Sequence, residues 1–166
     1  MEKRLLGKSS NSVEVYGVAN NEHMKAHKDV TSEIISEAIS KISINSPYLM
    51  KTVKFDRIIG KSNLVKINRK TDNVRMLKRI GRDGETPICL NKRSVDTNLL
   101  TIGVCKDDDG LYTVFTAFFG EKAPREPWDE NIKNEAERLE SEAFWKNHAL
   151  SFEGLYGSIE SCRDCD

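Results

Sequence analysis

Residues 98–120 read NLLTIGVCKDDDGLYTVFTAFFG, and this stretch decides the fold class. Two nearly continuous apolar runs flank DDDG, whose Asp-Gly end is a turn signal. Unbroken apolar runs rich in β-branched and aromatic residues are the pattern of strands buried on both faces. The stretch therefore predicts a hairpin at the centre of a sheet. In its second strand, even spacing predicts that Tyr112, Val114 and Thr116 share one face.

Upstream of that hairpin lie shorter, alternating, basic runs: KTVKFDRIIG at 51–60, NLVKINR at 63–69 and NVRMLKRIG at 73–81. RDGE at 82–85 supplies a second Asp-Gly turn, leading into TPICL. Further upstream, DVTSEIISEAISKISI at 29–44 carries Ile34, Ile35, Ala38, Ile39 and Ile42 at helical spacing, behind Asp29 or Thr31 as N-cap. The proline of NSP at 45–47 stops it. SVEVYGV at 12–18 alternates as a strand, with Val13 and Val15 on one side. Downstream, GEKAPREPWDEN is a proline-punctuated loop, in which Asp129 or Asn131 can cap a second helix. NEAERLESEAFWKNHAL at 134–150 has the composition of that helix, with Ala136, Leu139, Ala143 and Phe144 on one side. Strand, helix, several strands, helix is an α+β order. The expectation is an N-terminal helix packed on a curved antiparallel sheet, with a C-terminal helix. One domain spans 12–150 in this reading, between a flexible N-terminus at 1–11 and a C-terminal tail at 151–166.

The chain has 166 residues, 31% of them charged and 38% hydrophobic, which is the balance of a globular protein. No apolar run approaches the ~20 residues that span a bilayer. The apolar stretch of MEKRLLGKSSNS is too short for a secretory signal, so the expected setting is cytoplasmic. In that setting the four cysteines are expected to be reduced. Cys89 and Cys105 sit in strand-like runs as buried thiols, while Cys162 and Cys165 form a lone CxxC, half of a zinc site. The zero net charge conceals a division. Between Lys51 and Arg93 there are thirteen basic and four acidic residues; from Lys106 onward there are seven basic and fifteen acidic. Such a middle segment either binds a polyanion or is neutralised by the acidic half within the fold.

Two of the three histidines lie four positions apart in NNEHMKAHK at 20–28. His23 and His27 lack the glutamate that would follow the first histidine of a zinc-protease motif, and no third ligand is near, so no metal is expected. No glycine-rich phosphate loop and no nucleophile elbow occurs, and no cofactor is expected. Imidazoles titrate near neutrality, so one can take a proton from a 2′-hydroxyl while another donates to the departing 5′-oxygen. Arginine or lysine would hold the charge that develops at phosphorus. Arg57, Lys61, Arg69, Arg75 and Arg79 are the candidate cations, and Thr113 and Thr116 are hydroxyls on a rigid strand. Plainer roles compete with these. His23 and His27 can be solvated helix residues, and Thr116 a strand former at a half-buried site. His148 can hydrogen-bond a helix end, Trp128 can dock PREPWD into the core, and the basic strands can protect a sheet edge.

A histidine-bearing helix followed by a sheet whose late strand is LYTVFTAFFG resembles the barnase/EndoU/colicin/RelE-like ribonuclease superfamily. Across roughly residues 12 to 120 the resemblance implies a metal-independent endoribonuclease, such as a bacterial toxin held by an antitoxin or immunity protein. It implies His23 or His27 as base, Arg75 or Arg79 as phosphate clamp and Thr116 as an orienting hydroxyl. Arg57, Lys61 and Arg69 would contact RNA. The late strand departs from that pattern by running into FFG instead of a proline turn. The region from TAFFGEKAPREPWD to FWKNHAL also resembles a group of small uncharacterised bacterial proteins. The alternative function is a non-catalytic RNA- or protein-binding module that uses the basic 51–93 face.

Overall fold

The central hairpin forms as its sequence predicts. β9 (Leu99–Lys106) and β10 (Tyr112–Phe119) pair antiparallel. The turn between them closes with Asp107 N–H on Leu111 O at 2.8 Å, and Gly110 takes φ +81°, a conformation open to glycine without strain. The Asp107 carboxylate accepts the N–H groups of Asp109 and Leu111 and also the ammonium of Lys3.

The computed structural model describes residues 3–18, 29–78 and 81–155. Among the described residues the fold is α+β, mostly strand, with two α-helices. Contacts divide the chain into two compact units, Met1–Lys61 with Asp96–Lys122 and Ser62–Val95 with Ala123–Asp166.

In the first unit, β1 (Lys3–Lys8), β2 (Glu14–Val18) and β3 (Tyr48–Lys54) join the hairpin in a five-stranded sheet ordered β1-β2-β10-β9-β3. β1 replaces part of the flexible N-terminus expected over 1–11. KRLLGK lacks clean alternation because its register with β2 shifts between Leu5 and Gly7. The helix α1 (Ser32–Ser40) begins behind Thr31, whose hydroxyl accepts from Ile34 N–H at 3.3 Å. It ends where Lys41 N–H closes on Ala38 O, so Ile42 is buried beyond the helix and not on its stripe. Ile35, Ala38 and Ile39 pack with Val15, Leu100, Ile102, Val104, Val114 and Ala117 in one core. Two strands precede α1, and β2 runs parallel to β10, so the sheet is mixed and not wholly antiparallel.

The second unit holds β5 (Leu64–Lys66), β6 (Val74–Lys78), β7 (Glu85–Cys89) and β11 (His148–Ser151), in the order β5-β11-β7-β6. β11 is parallel to β7 and antiparallel to β5. Its residues belong to the run expected to be helical to position 150. The helix α2 (Glu135–Lys146) stops earlier, and Ala149 and Ser151 are buried in strand geometry. Asn134, not Asp129 or Asn131, caps α2: its side chain accepts from Glu137 N–H at 2.9 Å, while the Glu137 carboxylate accepts from Lys133 N–H at 3.0 Å. This reciprocal pairing has the logic of a capping box. β4 (Gly60–Ser62) and β8 (Val95–Thr97) pair as a separate ribbon.

Candidate functional site

The residues singled out for chemistry fall partly in each of the two units and partly outside the described residues. His23, His27 and Arg79 lie outside the described residues, as do Cys162 and Cys165. Thr116 is buried, 6% exposed, and does not share a face with Val114. The register runs Val114 to Val104 and then Thr116 to Gly103, so Phe115 is an extra residue in a bulge. Tyr112 and Val114 therefore face the α1 core, whereas the Thr116 methyl lies over Gly103, 2.7 Å from where a Cβ there would stand.

Arg57 forks onto Glu37 of α1, with Nη1 and Nη2 at 2.9 and 3.0 Å from the two carboxylate oxygens. Those hydrogen bonds hold the Glu37 carboxyl below its ordinary value and raise the Arg57 guanidinium. Lys61 lies 3.5 Å from Asp96, with both side chains exposed. Arg69 donates to the carbonyls of Lys146 (3.2 Å) and Trp145 (3.0 Å), closing the C-terminal end of α2. Arg75 is exposed on β6, an edge strand, and its guanidinium has no partner among the described residues. Arg69 and Arg75 belong to the second unit; Arg57, Lys61 and Thr116 belong to the first. His148 caps a helix end, with Nδ1 2.8 Å from Phe144 O and its ring stacked on Phe144 at 3.9 Å.

Among the described residues, the ion pairs of α2 are made close by along the chain. Arg138 pairs with Glu135 and Glu142, and Arg125 pairs with Glu137 at 3.3 Å, all within the same chain segment as α2. In this unit Lys92 of the basic segment pairs with Asp72 (3.4 Å) and Arg93 with Glu153 (3.7 Å). Lys66, Lys70, Arg75 and Arg82 are exposed and have no ion pair among the described residues.

A pocket of about 430 Å³ opens in this second unit. Met76 of β6, Pro87 of β7, Pro127, Trp128 and Trp145 supply its apolar walls, so both tryptophans of the chain meet there. Trp145 is nearly buried, with its N–H on Pro124 O at 3.3 Å and its ring edge-on to Phe144. Trp128 donates to Glu85 O and to Glu126 Oε2, both at 2.8 Å. Glu126 is 8% exposed, and its two oxygens straddle the Thr86 hydroxyl at 2.8 Å each. This buried carboxylate is therefore hydrogen-bonded and fixes the indole's direction. Glu85, Arg69, Lys146 and Glu142 complete the lining.

Sequence alone has Trp128 docking into the core and does not connect it with Trp145. The signal available was the pair of tryptophans, each beside proline or charge, on a loop and a helix end. Among the described residues no group of three His, Cys, Asp or Glu side chains is arranged for a metal, and no helix is long and apolar enough to cross a membrane. Neither a family model, a curated protein nor a solved structure matches this chain.

Proposed function

We propose that the chain is a non-catalytic module that binds single-stranded RNA through its second unit. One observation carries this reading: Lys66, Lys70, Arg75 and Arg82 are exposed cations without ion pairs among the described residues, in the unit that also holds the two-tryptophan pocket. Unpaired cations that track a phosphate backbone, together with aromatic rings for the bases, are the parts single-strand binding uses. A cytoplasmic setting accords with the free thiols of Cys89 and Cys105.

The competing reading is the metal-independent endoribonuclease, a toxin with an antitoxin or immunity partner. What speaks for it is the helix α1 packed on a five-stranded sheet, although α1 carries neither of the candidate histidines. The buried, turned Thr116 and the internal duties of Arg57 and Arg69 weigh against it. The two readings separate when end-labelled RNA is incubated in EDTA with excess protein. The binding module retains the RNA on the protein and returns it full length. Fragments with 2′,3′-cyclic phosphate ends that vanish in His23→Ala or His27→Ala would replace it with the ribonuclease.

A further inference from the structure

β6 is an edge of its sheet, and its pairing with β7 fixes which of its backbone groups face outward. Just before β6, in the same register, Leu90 N–H bonds Asn73 O at 2.8 Å, so these two form a hydrogen-bonded pair. Antiparallel alternation then turns the N–H and C=O of Arg75 and Leu77 toward β7, and those of Val74 and Met76 away from it. Among the described residues, no strand pairs with β6 across that outer edge. Such an edge is a template for one more strand.

We propose that β6 takes up an extended, acidic segment of a protein partner as an additional strand. The partner side chain opposite Met76 enters the pocket. Met76 and its cross-strand neighbour Pro87 both line that pocket, so it lies on their face of the sheet. A residue added opposite Met76 shares this face, with its Cβ about 4.5–5.5 Å from that of Met76. The lining is almost wholly apolar and includes both tryptophans, which selects a large apolar side chain such as leucine. Met76 is 46% exposed, and the added residue would cover it. The next residue of the added strand stands opposite Arg75, on the other face. β6 carries two cations, Arg75 and Lys78, and no acid. A second copy of β6 would bring like charge against like, whereas an aspartate or glutamate opposite Arg75 pairs with it. The partner is therefore marked by an acidic residue beside a large apolar one. The proposal goes beyond the RNA-binding reading and does not rest on it; where both hold, the added strand takes the pocket and Arg75 and so displaces RNA.

The probe is a synthetic peptide, Ser-Asp-Val-Leu-Asp-Val-Ser, written for antiparallel addition with leucine opposite Met76 and the second aspartate opposite Arg75. Binding is followed by tryptophan fluorescence and by amide exchange resolved by residue. Exchange is expected to slow about tenfold at Val74 and Met76, whose N–H groups acquire partners, and less at Arg75 and Leu77, which β7 already holds. Alanine in place of the peptide's leucine weakens binding about tenfold or more, and methylating that leucine's backbone nitrogen abolishes it. Arg75→Glu weakens binding, and lysine in place of the second aspartate restores it. No binding up to about 1 mM peptide, the weak limit for a specific contact, would overturn the proposal. So would binding that the backbone methyl leaves intact, or that leaves exchange at Val74 and Met76 unaltered. Tryptophan quenching by oligo(U) with none by the peptide would give the pocket to RNA and overturn it as well.

Discussion

Gly84 lies against the indole of Trp128, so that a Cβ built on it would stand 2.3 Å from the ring. Contacts this short require one partner to move, and the indole is tethered through its N–H to Glu85 O and Glu126. Gly84→Ala is therefore expected to unseat Trp128 and lower stability by about 1–3 kcal/mol, the usual cost of overpacking. Urea unfolding followed by circular dichroism checks the stability, and near-ultraviolet dichroism checks the ring. An unaltered midpoint with an unaltered tryptophan signal would contradict this seat.

Arg69 is expected from sequence to contact RNA, yet two of its donors close α2. Arg69→Ala is expected to cost about 1 kcal/mol by freeing the Trp145 and Lys146 carbonyls, in addition to any loss of RNA affinity. Arg75→Ala is expected to change stability by no more than about 0.5 kcal/mol, as surface substitutions usually do. Thermal unfolding of the two variants side by side distinguishes them, and equal effects would show that Arg69 does not serve the helix end.

Acid stability follows from carboxylates held low in the folded state. Glu37 is lowered from 4.5 chiefly by the Arg57 hydrogen bonds, and Asp107 from 3.8 chiefly by Lys3. A depressed carboxylate contributes stability that is fully present above its unfolded value and is lost as pH falls through the folded value. Stability is therefore expected to be flat above about pH 5 and to decline below the ordinary values of 4.5 and 3.8. Glu37→Gln should make that decline shallower. Urea midpoints across pH 3 to 7 measure it, and a Glu37→Gln profile parallel to the parent would refute the role of the pair.

Gly103 sits where the bulge brings side chains together on the sheet face away from α1. A Cβ there would stand 2.5 Å from Phe115 Cζ, 2.7 Å from Met50 Sδ and 2.7 Å from Thr116 Cγ2. Gly103→Ala is expected to destabilise the first unit by about 1–3 kcal/mol, because the strand is central and cannot recede. Hydrogen exchange at β9 amides reads that unit directly, and unchanged protection would show the face to be looser than drawn.

Much of this architecture is legible in the residues. Apolar runs name β9 and β10, the Ile34-Ile35-Ala38-Ile39 spacing names α1, and its cap is Thr31, one of the two candidates the sequence offers. Where local pattern loses, a long-range contact has overruled it. The bulge at Phe115 reverses the face of Thr116, and no period-2 count anticipates an inserted residue. β11 continues a helical composition, but Ala149 and Ser151 are captured between β5 and β7. β1 has no strand pattern of its own and exists through β2. The pocket escapes for a related reason: Trp128 lies in a loop and Trp145 at a helix end, so no local period links them, and Met76 of β6 and Pro87 of β7 complete the walls from elsewhere in the chain.

The central claim is met most directly by fluorescence anisotropy of a labelled single-stranded RNA titrated with the protein between about 50 and 200 mM salt. The expected result is binding without shortening of the RNA. Log affinity should fall with log salt at a slope of about −2 to −3, since each phosphate contact on a single strand contributes about −0.7. Replacing Lys70, Arg75 and Arg82 together by alanine should flatten that slope by about two units. A slope near zero, or one that the triple substitution leaves unchanged, would contradict it.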